Sequence, residues 1–405
     1  MSSQLQTKWP ATRAEGLRRL DAFAPKMGAV YKAQRNYDLG PENRGGVSVL
    51  SPYLRRRLIT EEEAVAAALS RHSFAAAEKF VQEVFWRTYW KGWLEMRPQV
   101  WREYRVGVER DRARADRYGD LGAALVAAEQ GETGIDCFDA WARELAETGY
   151  LHNHARMWFA SIWIFTLDLP WRLGADFFLR RLLDGDAASN TLSWRWVAGL
   201  HTKGKNYAAR ASNIKKYTEG RFDPGYALTP NPSPLVEDGP ALSPTPLRSP
   251  EPLDPSQPSV LLLTEEDCSA ENIDAFPALD WRAIGVLPLA NERSQAAVSA
   301  KVADFDRGAL TDAADRWSAE PKWIEPTPEA LVAWVEGSGA RQIVTPFTPV
   351  GWVRDWLDRA RSDLAEAGVV LAEQQRRWDR TSWPYATAGY FKFKTRIPSL
   401  IGKLL

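Results

Sequence analysis

Apolar residues recur every three or four positions through the first half of the chain and in short runs through the second, so two architectures are expected. Upstream, the spacing predicts helices over 61–70, 75–96, 138–148, 153–167 and 175–183, with few β-branched runs to oppose them. Thr60 followed by Glu63 has the pattern of a capping box opening the first of these, and Gly149 is placed to stop the third. Downstream, short runs stand at VLLL from Val260, IGVLPL from Ile284, WI from Trp323, IVTPF from Ile343 and VVLA from Val369. They alternate with helical stretches over 328–336 and 350–367, which predicts βαβ units and a parallel sheet.

Between the two rhythms, residues 224–258 hold 11 of the 26 prolines, a density that forbids a helix or a central strand. The expected fold class is therefore α + α/β. An all-helical domain over 1–223 is followed by the Pro-rich linker, a small doubly wound parallel α/β domain over 259–389, and an extension over 390–405. The segment after the first strand, TEEDCSAEN, is acidic and lacks the glycines of a phosphate-binding turn.

Composition narrows the class only slightly. Lys plus Arg and Asp plus Glu both count 52, so net charge does not argue for a polyanionic partner, although a local patch still can. Two distant cysteines and four histidines speak against a disulfide framework and a Cys/His metal site, and fit a reducing cytoplasm. The opening MSSQLQTKWP has no apolar signal core, and no run of about 18 apolar residues suggests a membrane span. The 19 tryptophans are far above ordinary usage; core packing accounts for many of them. Two basic tracts stand out. Arg55-Arg56-Arg57 reads as a surface patch, and 201–221 carries six Lys/Arg against one Glu, as a solvated loop or a phosphate-binding one.

Polar residues cluster where helix faces should be buried. Asn153, Arg156 and Met157 fall on consecutive turns of one helix, and Glu83, Trp86, Arg87 and Trp90 on another. DGDAASNTLSWRW, from Asp184 to Trp196, adds two acids, an amide and two tryptophans. Buried Asp and Arg must pair, so Arg156 is a natural partner of Asp184 or Asp186, in a plain core salt bridge as readily as in a site.

In order and spacing these segments resemble the FAD-binding helical domain of the photolyase and cryptochrome family. The resemblance rests on TGYLHNHARM, Trp171-Arg172 and DGDAASNTLSWRW, with GVSVLSPYLRRRL and VYKAQRN upstream and NIKKYTEGRFDP downstream, and spans about 31–224. It implies that FAD binds here, with Tyr31, Ser48, Leu50 and Ser51 on its phosphates and ribityl chain and Arg87 near the phosphates. Arg156 and Asp184 would pair beside the flavin ring, Asp186 would meet its pyrimidine edge, Asn190 would face N5, and Asn153 would lie nearby. It also implies an electron relay through Trp194, Trp171 and an outer Tyr118, where the family usually has Trp; three core aromatics are the alternative.

On the DNA side the resemblance implies a cyclobutane-dimer pocket of Glu83, Asn153, Met157 and Trp196. Trp86, Asn153, His154, Lys203, Lys205 and Arg210 would contact damaged DNA. The expected activity is that of a deoxyribodipyrimidine photolyase, the alternative being a cryptochrome-like blue-light receptor without repair. Several positions depart from the family pattern: His154, Tyr150, Val47, Val49 and Thr191-Leu192-Ser193. VLLLTEEDCSAEN is faintly similar to the opening of the family's α/β domain, which usually comes first, so the order here reads as circularly permuted. The acidic loop leaves the antenna pigment open.

Overall fold

In a computed structural model, which describes residues 9–237, 242–276, 279, 281–317 and 320–405, several helices begin where a side chain satisfies one of their first amides. Thr60 Oγ1 accepts from Glu63 N, and the Glu63 side chain accepts from Thr60 N, completing the capping box. Ser73 caps the 22-residue α1, Phe74–Glu95, which runs through the middle of the helical half. Around it lie α2 (Pro98–Arg117), α3 (Asn153–Ser161), α4 (Trp171–Arg181) and α5 (Ala187–Ala198). Gly149 does end its helix, at φ 68°, a backbone state that glycine adopts without a Cβ clash. The helix expected over 153–167 divides: after Ser161 a π-helical turn, Ile162–Thr166, widens the backbone above the buried Trp163.

The second half is a five-stranded parallel sheet of order β3-β2-β1-β4-β5. Its strands are β1 (Ser259–Leu263), β2 (Trp281–Val286), β3 (Lys322–Trp323), β4 (Gln342–Pro346) and β5 (Val370–Gln374). Val260 pairs with Ile343, and Ile343 with Leu371. Helices α6 (Ala300–Ala314), α7 (Pro328–Ser338) and α8 (Trp352–Glu366) connect the later strands. This is the doubly wound half the sequence predicts. The strand order reverses beside β1 and β4, so the carboxyl ends of those two strands frame the crevice where such sheets ordinarily take a ligand.

Here that crevice is filled from the other half of the protein. Arg55, Arg56 and Arg57, expected on the surface, are instead buried, at 1%, 0% and 4% exposure. Arg55 donates to Glu266 Oε1 at 2.7 Å and to the Glu265 carbonyl at 3.2 Å, and its guanidinium lies over the Trp352 ring. Arg56 bonds Asp306, which also takes Arg293 Nη2 at 2.8 Å. Arg57 meets Asp379 at 2.7 Å and Glu61 at 3.2 Å. The acidic loop after β1 and the arginine run are thus two sides of one buried charge network. Local sequence could not show this, because the principal partners lie more than 200 residues away. Glu265, whose carboxyl takes Trp352 Nε1 and Leu289 N in place of a guanidinium, has that carboxyl pushed up to about 7 by burial and by nearby Asp306.

The chain after β5 packs back on α1. Trp378 stacks on Phe85 at 4.8 Å and donates to Thr88 Oγ1 at 2.9 Å, and Gly92 leaves room for Trp383, whose ring would meet a Cβ there at 2.9 Å. The described part of the Pro-rich segment holds no strand or α-helix and straps the halves together. Leu235 N donates to Ala198 O at 2.9 Å, and Arg248 reaches Glu373 on β5. Residues 1–8, part of the stretch behind the expectation of no signal core, lie outside the described residues. No helix among the described residues is long and apolar enough to cross a membrane.

Two stability predictions result. Asp306→Ala strands two buried guanidiniums and should cost about 3–5 kcal/mol, read from urea unfolding. Asp358→Ala, on a 44% exposed side chain, is the control and should cost under about 1 kcal/mol. The second concerns acid. Burial raises the Glu373 carboxyl, but hydrogen bonds from Arg248 and Thr348 outweigh it and hold it at about 2, below its ordinary 4.5. Its contribution is therefore complete above pH 4.5 and is lost as pH falls from 4.5 towards 2. Arg248→Met should flatten that acid limb in unfolding curves measured across the range.

Candidate functional site

The turn between α4 and α5 presents its acids because each has a local task. Asp186 caps α5, its Oδ1 accepting from Ser189 N at 2.7 Å. Asp184, two residues earlier, accepts from Arg156 Nη2 at 2.8 Å, while Arg156 Nε donates to the Leu151 carbonyl at 2.9 Å. Arg156 is carried by α3, which opens at His152, whose Nδ1 accepts from His154 N. Burial pulls the His152 imidazole down to about 4, so it stays neutral in that role. On the facing side α1 supplies Arg87 and Lys91, each 3.5 Å from Asp186 Oδ2. Lys91 is also 3.4 Å from Glu266 of the acidic loop, so the charge network of the α/β half runs into this turn.

Burial opposes both carboxylates, yet their cations prevail. Asp184 is held below the usual range by Arg156, and Asp186 well below it by Lys91 and Arg87. Glu83 goes the other way: burial pushes its carboxyl up despite Arg35 at 2.6 Å. One turn thus keeps two charges, and the opposite wall holds an acid nearer to protonation.

These groups surround a single cavity of about 560 Å³. On its walls lie Tyr31 from the short helix Ala29–Gln34, Ser48, Leu50 and Ser51 from the loop and helix start that follow, and Glu83, Trp86 and Arg87 from α1. Asn153, His154, Arg156 and Met157 come from α3; Asp184, Asp186, Asn190, Trp194 and Trp196 come from the turn and α5. Asn190 Nδ2 donates to the Ala175 carbonyl at 2.7 Å, which commits one amide hydrogen away from the cavity. The π-turn and Gly174 seat Trp194: a Cβ at Gly174 would meet its ring at 2.4 Å.

Five expected residues are not on the walls. Trp171, one turn along α4 from Gly174, is buried beside Tyr104 at 6.0 Å, and Tyr104 stacks on Trp101 at 5.3 Å. Tyr118 is 57% exposed between α2 and the next helix. Lys203, Lys205 and Arg210 are exposed on the segment after α5.

The walls also include residues to which sequence reasoning gave no role in the site. Arg35 stands four positions after Tyr31, a spacing that marks a shared face. Val49 sits at φ 49°, a strained state for a β-branched residue, in the loop bearing Ser48. Tyr150, Ser189 and Phe391 also lie on the walls; nothing near Phe391 in the sequence points to the cavity.

Residues 80–228 match the family described as the FAD binding domain of DNA photolyase. The deoxyribodipyrimidine photo-lyase of Streptomyces griseus is 35% identical over 195 residues, covering 44% of this chain and 41% of that protein. That of Halobacterium salinarum is 32% identical over 236 residues, covering 55% and 46%. A bacterial class III photolyase structure from Agrobacterium tumefaciens overlays with a TM-score of 0.43 at 27% identity, covering 51% of this chain and 43% of that one. The chain spans less than half the length of these relatives. The matched stretch carries most of α1 and all of α3 to α5, the helices that wall the cavity, so this part of the chain is similar to the FAD binding domain of DNA photolyases.

Proposed function

We propose that the protein is a FAD-dependent, light-driven lyase that splits cyclobutane pyrimidine dimers in DNA. The observation that carries this reading is the convergence on one cavity of the Arg156–Asp184 pair, Asp186 with its two cations, Asn190, and the rings of Trp194 and Trp196. Three buried polar atoms on wall residues have no hydrogen-bond partner among the described residues: Asp184 Oδ1, Ser189 Oγ and Trp194 Nε1. Each such group costs about 1–3 kcal/mol if left so, and a large polar cofactor fits as their partner. FAD, when bound, would supply the light absorption and the electron.

The residues divide the remaining work. Tyr31, Ser48, Leu50, Ser51 and Arg87 would hold the phosphates and ribityl chain. Arg156 and Asp184 fix each other's orientation and keep the charge beside the ring balanced, and Asn190 offers an uncharged amide there. Trp194 donates electrons inward, with Trp171 the next carrier and Tyr118 the proposed outer one. On the lesion side, Trp196, stacked on Tyr207 at 5.6 Å, offers a platform for a turned-out base, beside Met157 and Asn153. Glu83, its carboxyl raised by burial, can donate a hydrogen bond to a pyrimidine carbonyl. Trp86, His154, Lys203, Lys205 and Arg210 would meet the DNA itself, the cations making binding fall steeply with salt.

The deciding experiment mixes reduced protein with a dimer-containing oligonucleotide under near-ultraviolet light and follows the return of thymine absorbance. Dimer splitting is expected. Photoreduction of a bound flavin without any splitting would give the function to light sensing, and failure to take up added FAD would remove both readings. Asp186→Ala removes a helix cap and the counter-charge of Arg87 and Lys91, so the purified variant should lose most of its absorbance near 450 nm, a flavin signature. Trp194→Phe should keep the flavin and abolish its photoreduction. Glu83→Ala should lower splitting per photon roughly ten-fold, about 1.4 kcal/mol, while changing lesion affinity less.

A further inference from the structure

At the mouth of the cavity the extension forms a short helix, α9 (Tyr390–Lys394), with two anchored rings and one projecting ring. Tyr390 lies flat on Trp86, ring centroids 3.4 Å apart and planes at 12°, and its hydroxyl donates to the Gln82 carbonyl at 2.8 Å. Phe393 is buried against Tyr89 and Phe85 at 5.5 and 6.3 Å. Phe391 points away from both: it is 83% exposed, yet it contributes to the wall of the same cavity as Trp86. A lone exposed apolar residue needs no explanation in general. This one stands on a helix anchored by Tyr390 and Phe393 at the lip of a site, and Lys392 and Arg396 beside it are exposed. Lys394, in contrast, is 3.4 Å from Glu78 and partly neutralised.

We propose that α9 is a wedge for duplex DNA. When the dimer turns out into the cavity it leaves a gap in the base stack, and Phe391 enters that gap while Lys392 and Arg396 meet the flanking phosphates. The inference rests on the repair reading above. Turning out a base costs a few kcal/mol of stacking, and an aromatic face returns about 1–3 kcal/mol per base. A flexible ring would lose part of that gain to ordering; the Tyr390–Trp86 stack and the buried Phe393 have already fixed α9. The occupant is specifically a duplex, because a single strand has no facing bases to restack.

The test uses the full-length flavin-loaded protein and one dimer presented in a duplex and in a single strand. Phe391→Ala should weaken duplex binding roughly ten-fold or more and leave single-strand binding within about two-fold, since a stack of 1.4 kcal/mol is ten-fold in affinity. Phe391→Trp, which keeps a stacking face, should restore duplex binding. A 2-aminopurine opposite the dimer should report a changed stack with the wild type and lose that change with Phe391→Ala. Equal effects of Phe391→Ala on both substrates, or none on either, would overturn the wedge while the wild type still splits dimers. If the wild type splits dimers in neither substrate, the repair reading fails first and the wedge falls with it. Should Phe391→Ala shift the melting temperature, the comparison of Phe391→Trp with wild type decides.

Discussion

The pairing of three consecutive guanidiniums with Glu266, Asp306 and Asp379 of the α/β half is the constraint on which the rest of the arrangement depends. Breaking any member leaves a buried charge without its partner, whereas the intact set is close to neutral in energy beside apolar packing of equal volume. Its value lies in position. Arg55 Nε holds the Gly185 carbonyl at 2.8 Å, and Gly185 stands between the two cavity acids. Glu266 takes both Arg55 and Lys91, and Lys91 faces Asp186. The α/β half therefore acts on the cavity through its floor, by fixing the turn that carries Asp184 and Asp186.

That coupling gives the sheet a different role from the one its topology suggests. The crevice at the carboxyl ends of β1 and β4 is where doubly wound domains take nucleotides. In this protein Arg55, Trp352 and Glu265 fill it, with Trp352 Nε1 donating to Glu265 Oε1 at 3.1 Å. The missing glycines of TEEDCSAEN and the buried arginines are the same fact seen from two sides: a loop that binds guanidiniums needs carboxylates, where one that cradles phosphate needs bare amides.

What the sequence made legible was whatever local spacing or a local motif controls. The capping box at Thr60, the stop at Gly149, the five strand runs and the 184–196 cluster all appear in the structure. Helix α2 escaped notice because its outer part, VERDRARADR, shows charge in place of a clear apolar stripe, and α6 because small residues dilute its stripe. The arginine run was misread for a related reason. Charge alone reads as solvent-facing until its partners are known, and Asp306 and Asp379 come from distant elements. Arg35 carried a faint signal in its spacing from Tyr31; Phe391 carried none, since only tertiary packing brings the extension to the cavity mouth.

The sequence separation of these partners also orders the protein's assembly in time. Arg57 and Asp379 are 322 positions apart, and Arg56 and Asp306 are 250 apart. A ribosome releasing residues at roughly 5–20 per second delivers the arginines many seconds before the acids that neutralise them. Throughout that interval Arg55 and Arg56 await their acids and the acid-bearing turn is unbraced, while Arg57 has Glu61 four residues away. Closure of the longest loops comes last and at the greatest entropic cost. The brace on the cavity's acid-bearing turn is thus among the last parts to be delivered, although most of the cavity's walls are translated first.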